Sequence, residues 1–340
     1  MVAAASKVAA LALALTTACA STGATPPRTA STATSGAAGS ARVVRIGTIN
    51  TLPLVARWDT STRGSSRRDR VRGFRTTVLD RWTPVPYLGF IPVPDDSALA
   101  RYIDWLTPRL NRVYRLARGA EIEMQPAAAR VARVFPSLAD TVRLAIIALS
   151  LGTTNGTVRV LERKPMLILG ADVQTVLPDS DSYLRATLEH ELVHVAHAAV
   201  NVSVYSIVEA AVRGERTPLY VSLFSEGLAT WGSARADPTL QPAHYYMTAG
   251  LPGVPRATCE RLAPLLRSEL ESADPQRYAD WFFLSGKDAN IPRRYAYVLG
   301  ERIVRRLAEK YSPTQLLRLD APTILREVRS VLARPAALCS

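Results

Sequence analysis

The chain reads as an α+β protein in which a small β-sheet is followed by a mainly helical half. Two apolar runs predict the sheet. One covers residues 141–151 and closes at the turn-forming stretch Gly152-Thr153-Thr154-Asn155-Gly156; the other covers residues 165–173, with Met166, Leu167, Ile168 and Leu169 at its centre. Helical periodicity predicts the rest. It is clearest over residues 181–199, where Leu184, Leu188, Leu192, Val195 and Ala199 recur at three- and four-residue intervals, and the chain after Asn201 keeps a helical character. With 340 residues, 48% of them hydrophobic, the chain can bury a real core as one large or two modest domains.

Residues 1–20 stand outside that core. Lys7 precedes an apolar run over residues 8–15, too short to span a bilayer, and then Thr16-Thr17-Ala18-Cys19-Ala20. This is the layout of a secretory signal. Cys19 after small residues fits a bacterial lipoprotein attachment site, and Ala18-Cys19-Ala20 also fits an A-x-A cleavage site. The expectation is therefore export to the cell envelope with an N-terminal lipid anchor on the membrane, release as a secreted or periplasmic protein being the alternative. Residues 21–45 are dominated by Ser, Thr, Ala, Gly and Pro and read as a flexible linker. Residues 46–134 are expected to form a mostly helical segment. Its main helix runs over residues 98–118 on Leu99, Ile103, Leu106, Leu110 and Val113, with a kink before Pro108, and a second short helix covers residues 127–135.

The net charge of +13 raises the question of nucleic acid. The basic residues are almost all Arg, scattered with Ala through the chain, and no nucleic-acid module accompanies them, so that class is excluded. The one dense cluster, Arg63, Arg67, Arg68, Arg70, Arg72 and Arg75, lies in a Ser/Gly-rich stretch and reads as a solvated loop, with contact to anionic lipid as the alternative. No second apolar run is long enough to cross a bilayer, which argues against an intramembrane protease. With Cys19 spent on processing, Cys259 and Cys339 remain as an even pair in an oxidising compartment. They either form a disulfide tying the C-terminal tail to the preceding helical half or stay as two thiols.

The chemistry is concentrated on the 181–199 helix. Three of the four histidines fall within His190-Glu191-Leu192-Val193-His194-Val195-Ala196-His197. Four residues make just over one helical turn, so His190 and His194 project from one face about 6 Å apart, where two imidazoles can share one tetrahedral zinc ion. Glu191 sits about 100° round the helix, placed to reach a water on the open side of the metal. The bland alternative is a core helix whose histidines only satisfy hydrogen bonds.

Two histidines do not make a stable zinc site, so a third protein ligand is required. His197 is seven residues from His190, about 10.5 Å along a helix, too far to bind the same ion. It is expected to support the site or the core. Glu226, in the helical stretch Leu223-Phe224-Ser225-Glu226-Gly227-Leu228-Ala229, is the preferred ligand, because the small Gly227 and Ala229 would let it approach the first helix. Glu209 and Glu215 are its competitors.

His190-Glu191-Leu192-Val193-His194 followed by a helix with Glu226-Gly227-Leu228-Ala229 resembles the gluzincin metallopeptidases. Over residues 135–311 the chain looks most similar to bacterial exported domains described only as predicted Zn-dependent proteases, with Leu169-Gly170-Ala171 and Tyr297-Val298-Leu299-Gly300 as further matches. The resemblance implies a zincin-like fold, a metallopeptidase domain over residues 135–340, and Zn2+ held by His190, His194 and Glu226. It implies hydrolysis of a peptide or protein substrate by a zinc-activated water. Glu191 would take the proton of that water and return it to the leaving amine, and Tyr297 would stabilise the oxyanion, with His244 and Tyr245 as substitutes. The chain departs from the thermolysin-like pattern at Thr230, where an Asp would orient a ligand histidine, so the orienting group is open. Two other readings carry weight: a catalytically inactive zincin-fold envelope binding lipoprotein, and a zinc amidohydrolase acting on a non-peptide envelope amide. A strand just before the motif helix could present a free edge to an extended substrate, or be an ordinary core strand.

Overall fold

The computed structural model describes residues 44–82, 94–140, 143–161, 164–178, 181–212, 215–248, 251, 254–283 and 286–340. The signal segment and nearly all of the linker lie outside the described residues. Among those described, four strands form one mixed sheet: β1 (Ile46–Asn50), β2 (Arg143–Ala148), β3 (Gly156–Leu161) and β4 (Lys164–Gly170), in the order β1-β2-β4-β3. β1, β2 and β4 run parallel, and β3 returns antiparallel to β4. The two apolar runs are the inner strands. Ile146, Ile147, Ile168 and Leu169 are buried, as expected of strands covered on both faces. β4, the strand nearest the motif helix in sequence, is therefore a core strand, and the edge beside that helix belongs to β3.

The principal helices are α1 (Leu52–Thr62), α2 (Arg67–Phe74), α3 (Asp96–Leu106), α4 (Leu110–Val134), α5 (Asp181–Val200), α6 (Val202–Val212), α7 (Leu219–Ala236), α8 (Arg256–Glu269), α9 (Pro275–Phe282), α10 (Tyr295–Leu307) and α11 (Ala321–Leu332). The protein is thus α+β and mainly helical. Among the described residues no helix is long and apolar enough to cross a membrane.

Two sequence expectations are corrected here. The short helix expected at residues 127–135 is the end of α4, which continues through Pro126. Its buried positions Val113, Leu116, Ala117, Ala120, Met124, Ala127, Ala128 and Val131 form one unbroken stripe at helical spacing, and that burial outweighs the hydrogen bond lost at the proline. The arginine cluster is not a solvated loop: Arg67, Arg68, Arg70 and Arg72 lie on helix α2, Arg63 at the end of α1 and Arg75 in the turn that continues α2. Ser66 caps α2 by accepting from Asp69 N, and Arg67, Arg70, Arg72 and Arg75 pair with Asp104, Asp59, Asp69 and Asp96. Trp58 also donates its Nε1–H to Arg70 O (2.9 Å), with the Arg70 guanidinium over its ring.

Residues 46–134 share the sheet and core with the rest of the chain. β1 pairs with β2, and α4 packs on both α5 and α7. A buried carboxylate joins these parts. Asp172 accepts from Ser150 N (2.7 Å), Gly152 N (2.9 Å) and the Tyr102 hydroxyl (2.8 Å), tying α3 to the turn that leads into β3. Cys259 on α8 is bonded to Cys339, with their Cα atoms 5.8 Å apart. The C-terminal tail is thereby fastened to the helical half.

α5 lies at the centre. It touches α4, α7, β3 and β4, and every residue from Ala186 to Ala198 is buried. The leucine stripe marks only part of its contact surface, because the histidine face is also covered by neighbouring helices.

Candidate metal centre

The i,i+4 spacing on α5 turns His190 and His194 to one side, their rings 4.8 Å apart. α7 crosses that side and brings Glu226 between them. Glu226 Oε2 is 3.1 Å from His190 Nε2, and Glu226 Oε1 is 3.5 Å from His194 Nε2. Among the described residues this is the group able to hold a metal ion, its ligand atoms all within 4.8 Å of one another. Ligands about 2.0–2.1 Å from a tetrahedral ion lie roughly 3.3 Å apart, so the observed spacing suits one ion.

The competing carboxylates are elsewhere. Glu209 accepts from Val160 N on β3 (2.8 Å), and Glu215 follows α6, its N–H donating to Ala210 O.

The electrostatics follow from burial and convergence. Burial alone would raise the Glu226 carboxyl, but the charge of His194 and the hydrogen bonds from both histidines hold it well below the ordinary carboxylate range. Burial lowers His190, only partly offset by Glu226, while the attraction of Glu226 outweighs burial at His194 and raises it. Glu191 is pushed up to about 8, first by burial and then by Glu226, with His194 opposing. A carboxylate in so dry a setting is a stronger proton acceptor than one in water.

Glu191 is positioned by backbone. A Cβ on Gly156, the first residue of β3, would lie 2.6 Å from Glu191 Cγ and Oε1. Only glycine lets the edge strand come so close to that carboxylate.

The hydroxyl placed to orient His194 is that of Ser225, one residue before Glu226. Its hydroxyl lies 3.3 Å from His194 Nδ1 and 3.4 Å from His197 Nδ1. With Nε2 of His194 facing the metal position, its Nδ1–H donates to Ser225 Oγ, and the Ser225 O–H donates to His197 Nδ1. His197 suits the acceptor role, since burial pushes it down to about 3, with His194 adding to the effect, so it is neutral near pH 7. Thr230 cannot substitute, because its hydroxyl donates to Glu226 O (2.7 Å) within the helix. Ser225 was not singled out in the sequence, where a serine beside a helical glutamate carries no signal until the crossing of α5 and α7 is known. His190 Nδ1 is buried without a hydrogen-bond partner among the described residues.

Gly227 does not do what its size suggested. It faces α10, where an added Cβ would meet Gly300 C and O at 2.3 Å; the small residue that admits α7 to α5 is Gly232, opposite Val193.

Tyr297, on α10, has its ring 6.1 Å from His190, and the Arg294 guanidinium lies 4.4 Å from the ring centre. Arg294 holds the left-handed conformation (φ 63°) just before that helix. Burial and then the charge of Glu226 raise the Tyr297 hydroxyl well above its usual value, so near pH 7 it is a proton-bearing donor. A second tyrosine that the sequence did not reveal, Tyr205 on α6, lies 6.0 Å from His194 and is raised in the same way by burial and Glu191. His244 and Tyr245 belong to a different contact: His244 packs on Tyr183 and accepts from Gln241 N, and Tyr245 packs on Tyr246. No protein family, curated protein or solved structure matches the chain.

Proposed function

We propose that the chain is an exported zinc-dependent metallopeptidase with a zincin-like, gluzincin-type arrangement. The observation that carries this reading is the convergence of His190, His194 and Glu226 on one point, with Glu191 beside it. Two imidazoles and one carboxylate, leaving a further position open, are the donor set of catalytic zinc. When bound, the ion supplies Lewis-acid chemistry, polarising a water and the substrate carbonyl.

The chain's own residues do the remainder. Glu191 takes a proton from the attacking water and passes it to the leaving nitrogen. Tyr297 donates its O–H to the carbonyl oxygen as charge builds there. Ser225 fixes the ring of His194 through Nδ1. The Cys259–Cys339 disulfide suits an oxidising compartment, in keeping with export and a lipid anchor at Cys19.

Glu191→Gln tests the reading. The variant is expected to retain zinc and lose peptide hydrolysis by about a hundredfold or more, measured on a mixed-sequence peptide library. Undiminished hydrolysis would refute it. A zinc-loaded wild type that cleaves no peptide would favour the inactive binding protein.

A further inference from the structure

Arg294 stands beside the metal position without an acid. Its guanidinium lies over the Tyr297 ring, 4.4 Å from the centre, and that ring is 6.1 Å from His190. Its Nε is buried with no hydrogen-bond partner, and no carboxylate among the described residues pairs with the group. Arg70, Arg130 and Arg277 are half-buried in the same way, yet each is paired: with Asp59, with Glu123 and Glu189, and with Glu269, Asp280 and Asp288. A guanidinium withdrawn from water without an acceptor costs free energy that a bound anion would recover. The backbone adds to that cost, because Arg294 holds a left-handed conformation (φ 63°, ψ 22°) unfavourable to a residue with a Cβ.

The group also lies on the side of the site that solvent reaches. The Glu226 side chain is 16% exposed where those of His190 and His194 are 4–5%, and Tyr297 and Arg294 are half-buried. Burial is the largest influence on both His190 and Tyr297, lowering the first and raising the second, and the charge of Arg294 pulls each downward. The two positive charges of a zinc ion are at most balanced by Glu226 and Glu191, so Arg294 leaves this side of the loaded site net positive.

We propose that Arg294 binds a carboxylate of the substrate, so that the protein selects peptides bearing a negative charge close to the cleaved bond. This rests on the metallopeptidase reading and names its substrate class. The planar guanidinium matches a carboxylate with two parallel hydrogen bonds, which an amide cannot reproduce at the same strength. Its distance from the Tyr297 ring sets the reach. At about 3.3–3.6 Å per extended residue, the carboxylate belongs within about two residues of the bond whose carbonyl oxygen Tyr297 meets. A chain-terminal α-carboxylate and an Asp or Glu side chain carry the same chemistry, and the test separates them.

The experiment uses the zinc-loaded full chain and N-acetylated peptides free of acidic residues. They are offered with a free carboxylate end, with an amidated end, and with an amidated end plus one glutamate walked along the sequence. Rates and cut positions are read by mass spectrometry. One carboxylate-bearing series should be cut at least about tenfold faster than the acid-free amides, within about two residues of its charge. Preference for the free end identifies the α-carboxylate; preference for the glutamate identifies the side chain. Arg294→Gln should bring the ratio within about twofold, chiefly through KM, with zinc content unchanged, and Arg294→Lys should keep part of it. Arg293→Gln, which removes an exposed neighbouring charge, should leave the ratio as in the wild type. The same preference should appear without turnover, as tighter binding of the preferred peptide than of N-acetyl tetra-alanine amide to zinc-loaded Glu191→Gln, lost in Glu191→Gln/Arg294→Gln. Equal rates for carboxylate and amide peptides, a preference that survives Arg294→Gln, or an Arg294→Gln that slows every peptide alike would each overturn the proposal. Carboxylate-selective binding that depends on Arg294, without turnover in the wild type, would instead uphold Arg294 and count against the metallopeptidase reading.

Discussion

Gly227 and Gly300 stand back to back where α7 crosses α10. A Cβ on Gly227 would lie 2.3 Å from Gly300 C and O, and one on Gly300 would lie 2.6 Å from Leu223 O. The contact joins two pieces of the site. Gly227 follows Glu226, and Gly300 is three residues past Tyr297, so one close helix crossing sets both the carboxylate and the phenol.

The first prediction follows from that crossing. Gly300→Ala forces the two backbones apart, and overpacking of this kind costs about 1–3 kcal/mol. Thermal unfolding should show the loss. Because the shift moves Tyr297 and Glu226 together, turnover should fall further than stability alone explains, whereas Ala296→Gly, on the same helix, should cost stability without that excess.

Gly156 makes a sharper separation. Gly156→Ala puts a methyl group where Glu191 Cγ and Oε1 now sit. The ligand trio does not touch this position, so zinc stoichiometry should hold while kcat drops, by about a hundredfold if Glu191 is displaced by an ångström. Loss of zinc in this variant would contradict the assignment.

Ser225→Ala tests the orienting hydroxyl. Removing it leaves His194 Nδ1 and His197 Nδ1 without their shared partner. Zinc affinity, measured by competition with a chelator, should weaken about 10–100-fold. Ser225→Thr, which keeps the hydroxyl, should recover much of it.

Asp280 on α9, which accepts from Lys287 N in the loop that leads to α10, is an acid-sensitive element. Burial would raise Asp280, but Lys287 N, Gln276, Asp288 N and Arg277 outweigh it and hold the carboxyl below its ordinary value of 3.8. A carboxyl depressed by folding stabilises the native state above that ordinary value, and the contribution disappears as pH falls through the lower folded one. Chemical denaturation should therefore show stability falling below about pH 4, and Asp280→Asn should lower stability at pH 7 by about 1–2 kcal/mol while flattening that acid limb. An unchanged acid limb in the variant would contradict this.

Much of the candidate metal centre was legible because helical geometry converts spacing into direction. His190, Glu191 and His194 are fixed relative to one another by one turn of α5, and Glu226 was reachable because it sits in a helical stretch beside small residues. Their partners were not legible, since Ser225 and Tyr205 acquire meaning only from how α6 and α7 cross α5. The same limit applied to the sheet. β2 and β4 announced themselves as apolar runs, but β1 has three exposed residues of five and meets β2 nearly a hundred positions later. β3 carries Arg159 and begins inside what composition marks as a turn. The separate helix expected over residues 127–135 is the end of α4, whose buried stripe runs on through Pro126.

The most direct test of the central claim is zinc per chain, measured on folded protein after equilibrium dialysis against zinc, for the wild type, His194→Ala and Glu226→Ala. The account predicts one zinc per chain in the wild type and a loss in each variant. Folded wild-type protein that takes up no zinc, or variants that bind it as well as the wild type, would contradict it.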